Sequence, residues 1–79
     1  MLQLRIVSPE KVVFDGEVDL VTVPGTIGSF QILTNHAPII SSLEIGKVEY
    51  VIGNNRTSFN INGGFVEVKK NVVSLCVEM

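Results

Sequence analysis

Apolar and polar residues alternate along most of this chain. Leu2, Leu4 and Ile6 take turns with Gln3 and Arg5. Successive side chains of a strand point to opposite faces, so this period of two predicts a half-buried strand. Val12-Val13-Phe14 predicts a second short strand, and Val18 to Val23 alternates again as a third. Gly28 to Leu33 and Ile39 to Leu43 read as further short strands. In Lys47 to Ile52, Val48, Tyr50 and Ile52 share one face. Thr57 to Ile61, Phe65 to Val68 and Val72 to Val77 complete the series. No segment carries a helical apolar period over a useful length.

Turn chemistry falls between these runs. Ser8-Pro9-Glu10 ends the first, because proline has no N–H for the ladder. Asp15-Gly16 and Pro24-Gly25 are turn dipeptides. Gly53-Asn54-Asn55 is a hairpin signal, since both residue types tolerate positive φ. Thr34-Asn35-His36-Ala37-Pro38 reads as a tight connection, Gly63-Gly64 as a break and Lys69-Lys70-Asn71 as a turn. Short β-branched strands with frequent turns are the pattern of an all-β sandwich or barrel.

Size sharpens this picture. The chain has 79 residues, so a single domain over 1–79 is expected. A domain this short buries only about 60% of its unfolded surface, so its core must be dense in apolar side chains. Hydrophobic residues make up 46% of the chain, which meets that need. One cysteine forms no internal disulfide, and one histidine with one cysteine is too few for a structural zinc site. What remains is a good core, docking onto a partner, or both.

Charge excludes some partners. The net charge is -2 and the six basic residues are scattered, which argues against nucleic acid. The N-terminus lacks a signal-peptide pattern, and no apolar run approaches the ~20 residues that span a bilayer. The lone cysteine suits a reducing compartment. A soluble, cytoplasmic chain is expected.

Candidate chemistry is sparse. His36 is the only histidine, held in Asn-His-Ala-Pro, and no nucleophile motif accompanies it. A turn histidine bonded to backbone or to a partner is the expectation. Cys76 shares a face with Val72 and Ser74 and reads as a buried structural thiol. Asp15, Glu17 and Asp19 fall on one side of an extended chain, yet a hard cation needs six or more converging oxygens. Gly25-Thr26-Ile27-Gly28 and Gly63-Gly64 are not phosphate loops, since no lysine follows and no helix starts there. No catalytic residue, cofactor or metal site is expected.

The pieces in order resemble a known family. Ile6-Val7-Ser8-Pro9-Glu10-Lys11 leads to Val13-Phe14-Asp15-Gly16-Glu17-Val18 and Val23-Pro24-Gly25. Gly28-Ser29-Phe30, Ile32-Leu33-Thr34-Asn35-His36-Ala37-Pro38 and Leu43-Glu44-Ile45-Gly46 follow. Ile61-Asn62-Gly63-Gly64-Phe65-Val66-Glu67-Val68 and Asn71-Val72-Val73 close the chain. From end to end this resembles the epsilon subunit of bacterial F-type ATP synthases, called delta in mitochondria. Asn-His-Ala-Pro followed by Gly-Gly-Phe-Val-Glu-Val is specific in combination, whereas either piece alone is weak.

The resemblance implies a flattened β-sandwich of about ten short, mostly antiparallel strands. It implies a non-catalytic place on the rotating central stalk, between the gamma subunit and the c-ring. Rotation driven by proton or sodium flow would pass through it during ATP synthesis. Its place would be the cytoplasmic face of the bacterial inner membrane, touching the membrane only through the complex. The expected c-ring side is Thr26, Ile27, Gly28 and Ser29, with His36 close by. Relatives can carry an acidic residue where Ser29 stands, so no charged contact is carried over there. Ser41, Ser42, Leu43, Glu44 and Ile45 are the candidate gamma side. Many members continue into an inhibitory C-terminal helical hairpin. This sequence stops at Val77-Glu78-Met79, so neither that inhibition nor nucleotide binding is expected of it.

Two other classes compete. A biotinyl or lipoyl carrier domain is also a small β-sandwich, with a modified lysine at a hairpin tip, and Lys69 or Lys70 occupies such a turn. Its flanks lack the Met-Lys-Met and Asp-Lys-Ala contexts of those carriers. A small β-barrel enzyme would have to use His36, Cys76 or the Asp15/Glu17/Asp19 row.

Overall fold

Leu2, Leu4 and Ile6 are fully buried in the computed structural model, which describes residues 1–79, and Gln3 and Arg5 between them are exposed. The same alternation builds nine strands: β1 (Leu2–Val7), β2 (Val12–Val18), β3 (Leu20–Gly25), β4 (Gly28–Ile32), β5 (Ile39–Leu43), β6 (Gly46–Ile52), β7 (Asn55–Ile61), β8 (Gly63–Lys69) and β9 (Val72–Glu78). The fold is all-β as expected, with nine strands where the resemblance implies about ten.

The strands join in the order β2-β1-β9-β8-β5-β3-β6-β7, with β4 along β3. Five strands, β2-β1-β9-β8-β5, form one half. The other half is β4-β3-β6-β7. A single pair, Gly25 opposite Leu43, joins β3 to β5 and links the halves. All pairings are antiparallel except β1 with β9. Thus the first and last strands lie side by side, with Leu4 opposite Val73 and Ile6 opposite Leu75.

The inward face of each strand contributes to one core. Val18, Val21, Val23, Ile32, Val48, Ile61, Val66, Val68, Val73 and Leu75 all lie there, almost wholly buried. No polar or charged residue is buried with them. Phe14 on β2 meets Tyr50 on β6, which closes the side of the sandwich opposite the β3–β5 link.

Several local expectations change. Asp15-Gly16 is not a turn: both residues lie inside β2, opposite Arg5 and Leu4. A Cβ on Gly16 would come within 3.1 Å of the Phe14 ring, so glycine there makes room for an aromatic. The corner falls instead at Asp19, which splits the stretch Val18 to Val23 between β2 and β3. Gly63-Gly64 opens β8 rather than breaking a strand. Gly64 holds φ at 146°, and a Cβ on it would overlap the Cys76 carbonyl oxygen. Only glycine lets β8 and β9 approach that closely. Cys76 is not in the core either. Val73, Leu75 and Val77 point inward, so Cys76 falls on the outer face and is half-buried.

Candidate functional site

The sandwich has two ends where turns gather. The first is built around the β3–β4 tip. Pro24 and Gly25 finish β3, and Thr26 and Ile27 make the turn into Gly28. The β5–β6 connection is bonded beside it. Thr26 N–H donates to the Ser42 carbonyl at 3.3 Å, and Glu44 N–H donates to the Pro24 carbonyl at 2.9 Å. These bonds bring Thr26, Ile27, Gly28 and Ser29 together with Ser42, Glu44 and Ile45. Ile27 projects fully into solvent, and Ile45 is 75% exposed. Leu43, by contrast, is a core residue, and it supports this surface from beneath. Ser41 is half-buried, and its hydroxyl donates to the Ser42 carbonyl at 3.1 Å.

His36 is not part of that group. Gly28 and Ile32 mark opposite ends of β4, since Gly28 pairs with Gly25 and Ile32 with Val21. At about 3.3 Å per residue, the length of β4 separates Ser29 from the loop that follows Ile32. His36 stands in that loop, at the second end of the molecule. There His36 N–H donates to the Leu33 carbonyl at 3.1 Å. Its Nδ1 lies 2.8 Å from the Ala37 carbonyl. A carbonyl oxygen only accepts, so Nδ1 carries the proton in this bond.

Asn35 precedes His36 and meets Asn71, in the turn between β8 and β9. Asn35 N–H donates to Asn71 Oδ1 at 2.6 Å, and Asn71 Nδ2 donates to Asn35 Oδ1 at 3.2 Å. Both residues hold left-handed backbone, at φ 66° and 62°. Asparagine is enriched in that region because its short polar side chain bonds locally. Sequence reasoning saw two turns here but not their link, since the partners are 36 positions apart.

The outer face of the five-stranded half carries a row of apolar side chains. Register aligns Val12, Val7, Cys76 and Phe65 across β2, β1, β9 and β8. Ile40 on β5 is exposed on the same face. Beside Cys76 lies a shallow hollow of about 360 Å³, lined by Val7, Ser8, Pro9, Phe65 and Val77 among others. The alternation predicted which residues share a face, but not that an outward face would be this apolar.

The acidic row does not converge. Asp15 accepts from Gln3 Nε2 at 2.9 Å and lies 3.8 Å from Arg5. Asp19 instead accepts the Gly53 N–H at 2.8 Å, in the β6–β7 turn. Glu49 is flanked by Lys47 and Arg56 on the outer face of β6 and β7. Exposed ion pairs of this kind contribute about 0–1 kcal/mol each. Lys70 sits at the β8–β9 hairpin tip with φ 52°, and Lys69 ends β8 opposite Val72.

Known proteins give the context for these surfaces. A family model described as "ATP synthase, Delta/Epsilon chain, beta-sandwich domain" matches residues 1–79. The match goes to a different family from the one a lysine carrier requires. An ATP synthase epsilon chain of Leptospira borgpetersenii is 44% identical over 77 residues, covering 98% of this chain and 61% of that one. One of Desulfitobacterium hafniense is 44% identical over 75 residues, covering 95% of this chain and 57% of that one. One of Caulobacter vibrioides is 40% identical over 77 residues, covering 98% of this chain and 90% of that one. The chain thus spans about three fifths of the length of the Leptospira relative. Among solved structures, a chain of the Euglena gracilis mitochondrial ATP synthase superposes with TM-score 0.93 at 22% identity, covering 99% of this chain and 51% of that one. A chain of the Tetrahymena thermophila mitochondrial ATP synthase central stalk and c-ring gives TM-score 0.83 at 21% identity, covering 99% of this chain and 63% of that one. At such identities the likeness is one of fold.

Proposed function

This chain belongs to the ATP synthase delta/epsilon β-sandwich family, and on that premise we propose that it is a non-catalytic epsilon subunit of the central stalk. It couples the gamma subunit to the c-ring of an F-type ATP synthase while proton or sodium flow turns the rotor. Its place is in the peripheral part of a membrane complex, on the cytoplasmic face of a bacterial inner membrane. It needs no cofactor for this role. The observation that carries the reading is the family match over the whole of residues 1–79.

The fold suits a part that transmits torque. Of 48 backbone hydrogen bonds, 41 lie within strand ladders, so little backbone is free to yield under load. A close-packed apolar core with no buried polar residue adds stiffness, because protein interiors resist compression. The ring-facing contact centres on Thr26, Ile27, Gly28 and Ser29, where Ile27 is ready to be covered. The gamma-facing contact takes Ser41, Ser42, Glu44 and Ile45, with Leu43 holding them from the core. His36 contributes a separate contact at the other end of the sandwich.

Purification of the ATP synthase from the source organism tests this. The chain is expected in a fixed ratio with the gamma subunit. An intact, coupled enzyme that contains no such chain overturns the reading.

A further inference from the structure

The outer face of the five-stranded half matches itself across its middle strand, β9. Register sets the side chains of that face in rows. One row runs Val7, Cys76, Phe65 across β1, β9 and β8. The next runs Arg5, Ser74, Glu67. Phe65 is half exposed, so one side of Cys76 carries an aromatic knob. On the other side, Val7, Ser8 and Pro9 form the far wall of the hollow of about 360 Å³. Arg5 and Glu67 flank Ser74 in the same way, as an exposed cation and an exposed anion. Asp15 approaches Arg5 only to 3.8 Å and leaves its side chain 56% exposed, open to a second carboxylate.

A patch that binds its own copy about a two-fold axis carries each feature and its complement on opposite sides of that axis. An axis along β9, between two facing sheets, meets this condition. It sets β9 on β9, and β1 on β8 of the second copy. Phe65 then enters the hollow of the other copy against Val7 and Pro9, and Glu67 meets the other copy's Arg5. An axis across the strands keeps β8 on β8, so Phe65 misses the hollow and Glu67 misses Arg5. The apolar row and the charged row thus select the same axis.

We propose that this face pairs with a second copy of the chain, about a two-fold axis along β9, when no other protein covers it. Register and hollow carry this independently of the stalk reading. Five strands about 4.8 Å apart and ~20 Å long present roughly 500 Å². A standard interface takes about 800 Å² from each partner, so the pair is weak and forms at high chain concentration. Packed sheets lie about 10 Å apart, whereas the Cα atoms of a disulfide lie within ~7 Å. The two Cys76 residues therefore face each other without bonding, within reach of a short bismaleimide.

Sedimentation equilibrium of the 79-residue chain from micromolar to millimolar concentration, in reductant, tests the pairing. Dimer is expected at the upper end. A short bismaleimide, added after the reductant is removed, is expected to link Cys76 to Cys76 there and not at the lower end. Glu67→Arg sets like charges against each other and should weaken the dimer about tenfold or more. Arg5→Glu together with Glu67→Arg in one chain restores opposite charges and should recover most of that loss. Phe65→Ser removes the knob and should weaken the dimer without touching either charge. Thermal unfolding of each variant at micromolar concentration checks that the monomer is folded. A chain that stays monomeric at millimolar concentration, or that grows past the dimer, overturns the proposal. A dimer indifferent to Glu67→Arg and to Phe65→Ser, or one that the double charge exchange does not restore, overturns the axis along β9.

Discussion

Phe14 and Tyr50 stack across the closing side of the sandwich, their ring centroids 4.4 Å apart and their planes tilted by 34°. They come from opposite halves: β2 ends the five-stranded half, and β6 lies in the four-stranded half. Such aromatic pairs contribute about 0.5–1.5 kcal/mol beyond the area they bury. Phe14→Leu keeps most of the apolar volume and removes the pair. It should destabilise the fold by about 1 kcal/mol and lower Tm by roughly 4–8 °C. Urea unfolding and calorimetry measure this. Stability equal to wild type would mean that the ring contact does not hold the halves together.

Gly64 and Gly53 separate two uses of glycine. Both have positive φ, at 146° and 60°, but only Gly64 faces backbone across the sheet. Gly53→Ala meets open space and should cost about 1 kcal/mol from backbone strain alone. Gly64→Ala must also push β9 away, and should cost at least about 3 kcal/mol. Parallel urea titrations of the two variants decide it. Equal losses would show that strain, not crowding, sets the requirement at Gly64.

Ile27 is exposed where a core residue would be buried, and nothing in the fold uses its side chain. Ile27→Ser should therefore leave unfolding free energy within about 0.5 kcal/mol of wild type. Covering an isoleucine is worth about 1.5–3 kcal/mol, so, on the contact proposed here, affinity for a c-ring should fall roughly tenfold to a hundredfold. Ile45→Ser should weaken the proposed gamma contact in the same way. Unchanged affinities would remove this end of the sandwich from the interface.

Cys76 faces outward beside Phe65, and it is half-buried. A thiol reagent should modify it in the native state, at a rate that sub-denaturing urea leaves unchanged. Phe65→Ala should raise that rate by uncovering the sulfur. Modification that appears only in the unfolding transition would return Cys76 to the core.

Much of this architecture was legible because strands write their faces into the sequence. Leu2, Leu4 and Ile6 could be placed inward from alternation alone. Cys76 shows the limit: parity groups it with Val72 and Ser74 but does not say which face of β9 is inside. That is decided by Val73, Leu75 and Val77, which pack more apolar volume. Asp15-Gly16 misled for a related reason. The dipeptide favours a turn locally, yet the ladder with Arg5 and Leu4 and the Phe14 ring favour an extended chain there. The site was less legible than the fold. Ser29 and His36 are near in sequence, but an intervening strand carries them apart. Asn35 and Asn71 are far apart in sequence, and only the assembled sheet makes them neighbours.

The side-by-side placement of β1 and β9 has a consequence for synthesis. Val7 leaves the ribosome long before Cys76, the residue it lies opposite. At about 5–20 residues per second, β1 waits several seconds with an open inner edge. During that interval β1 has only β2 beside it, and such two-stranded ribbons are marginal in water. Closure of this half of the sandwich therefore waits for β9. A nascent chain stalled before Val72 would expose two unsatisfied edges, on β1 and β8, and would be held for a chaperone or pair with a neighbouring chain.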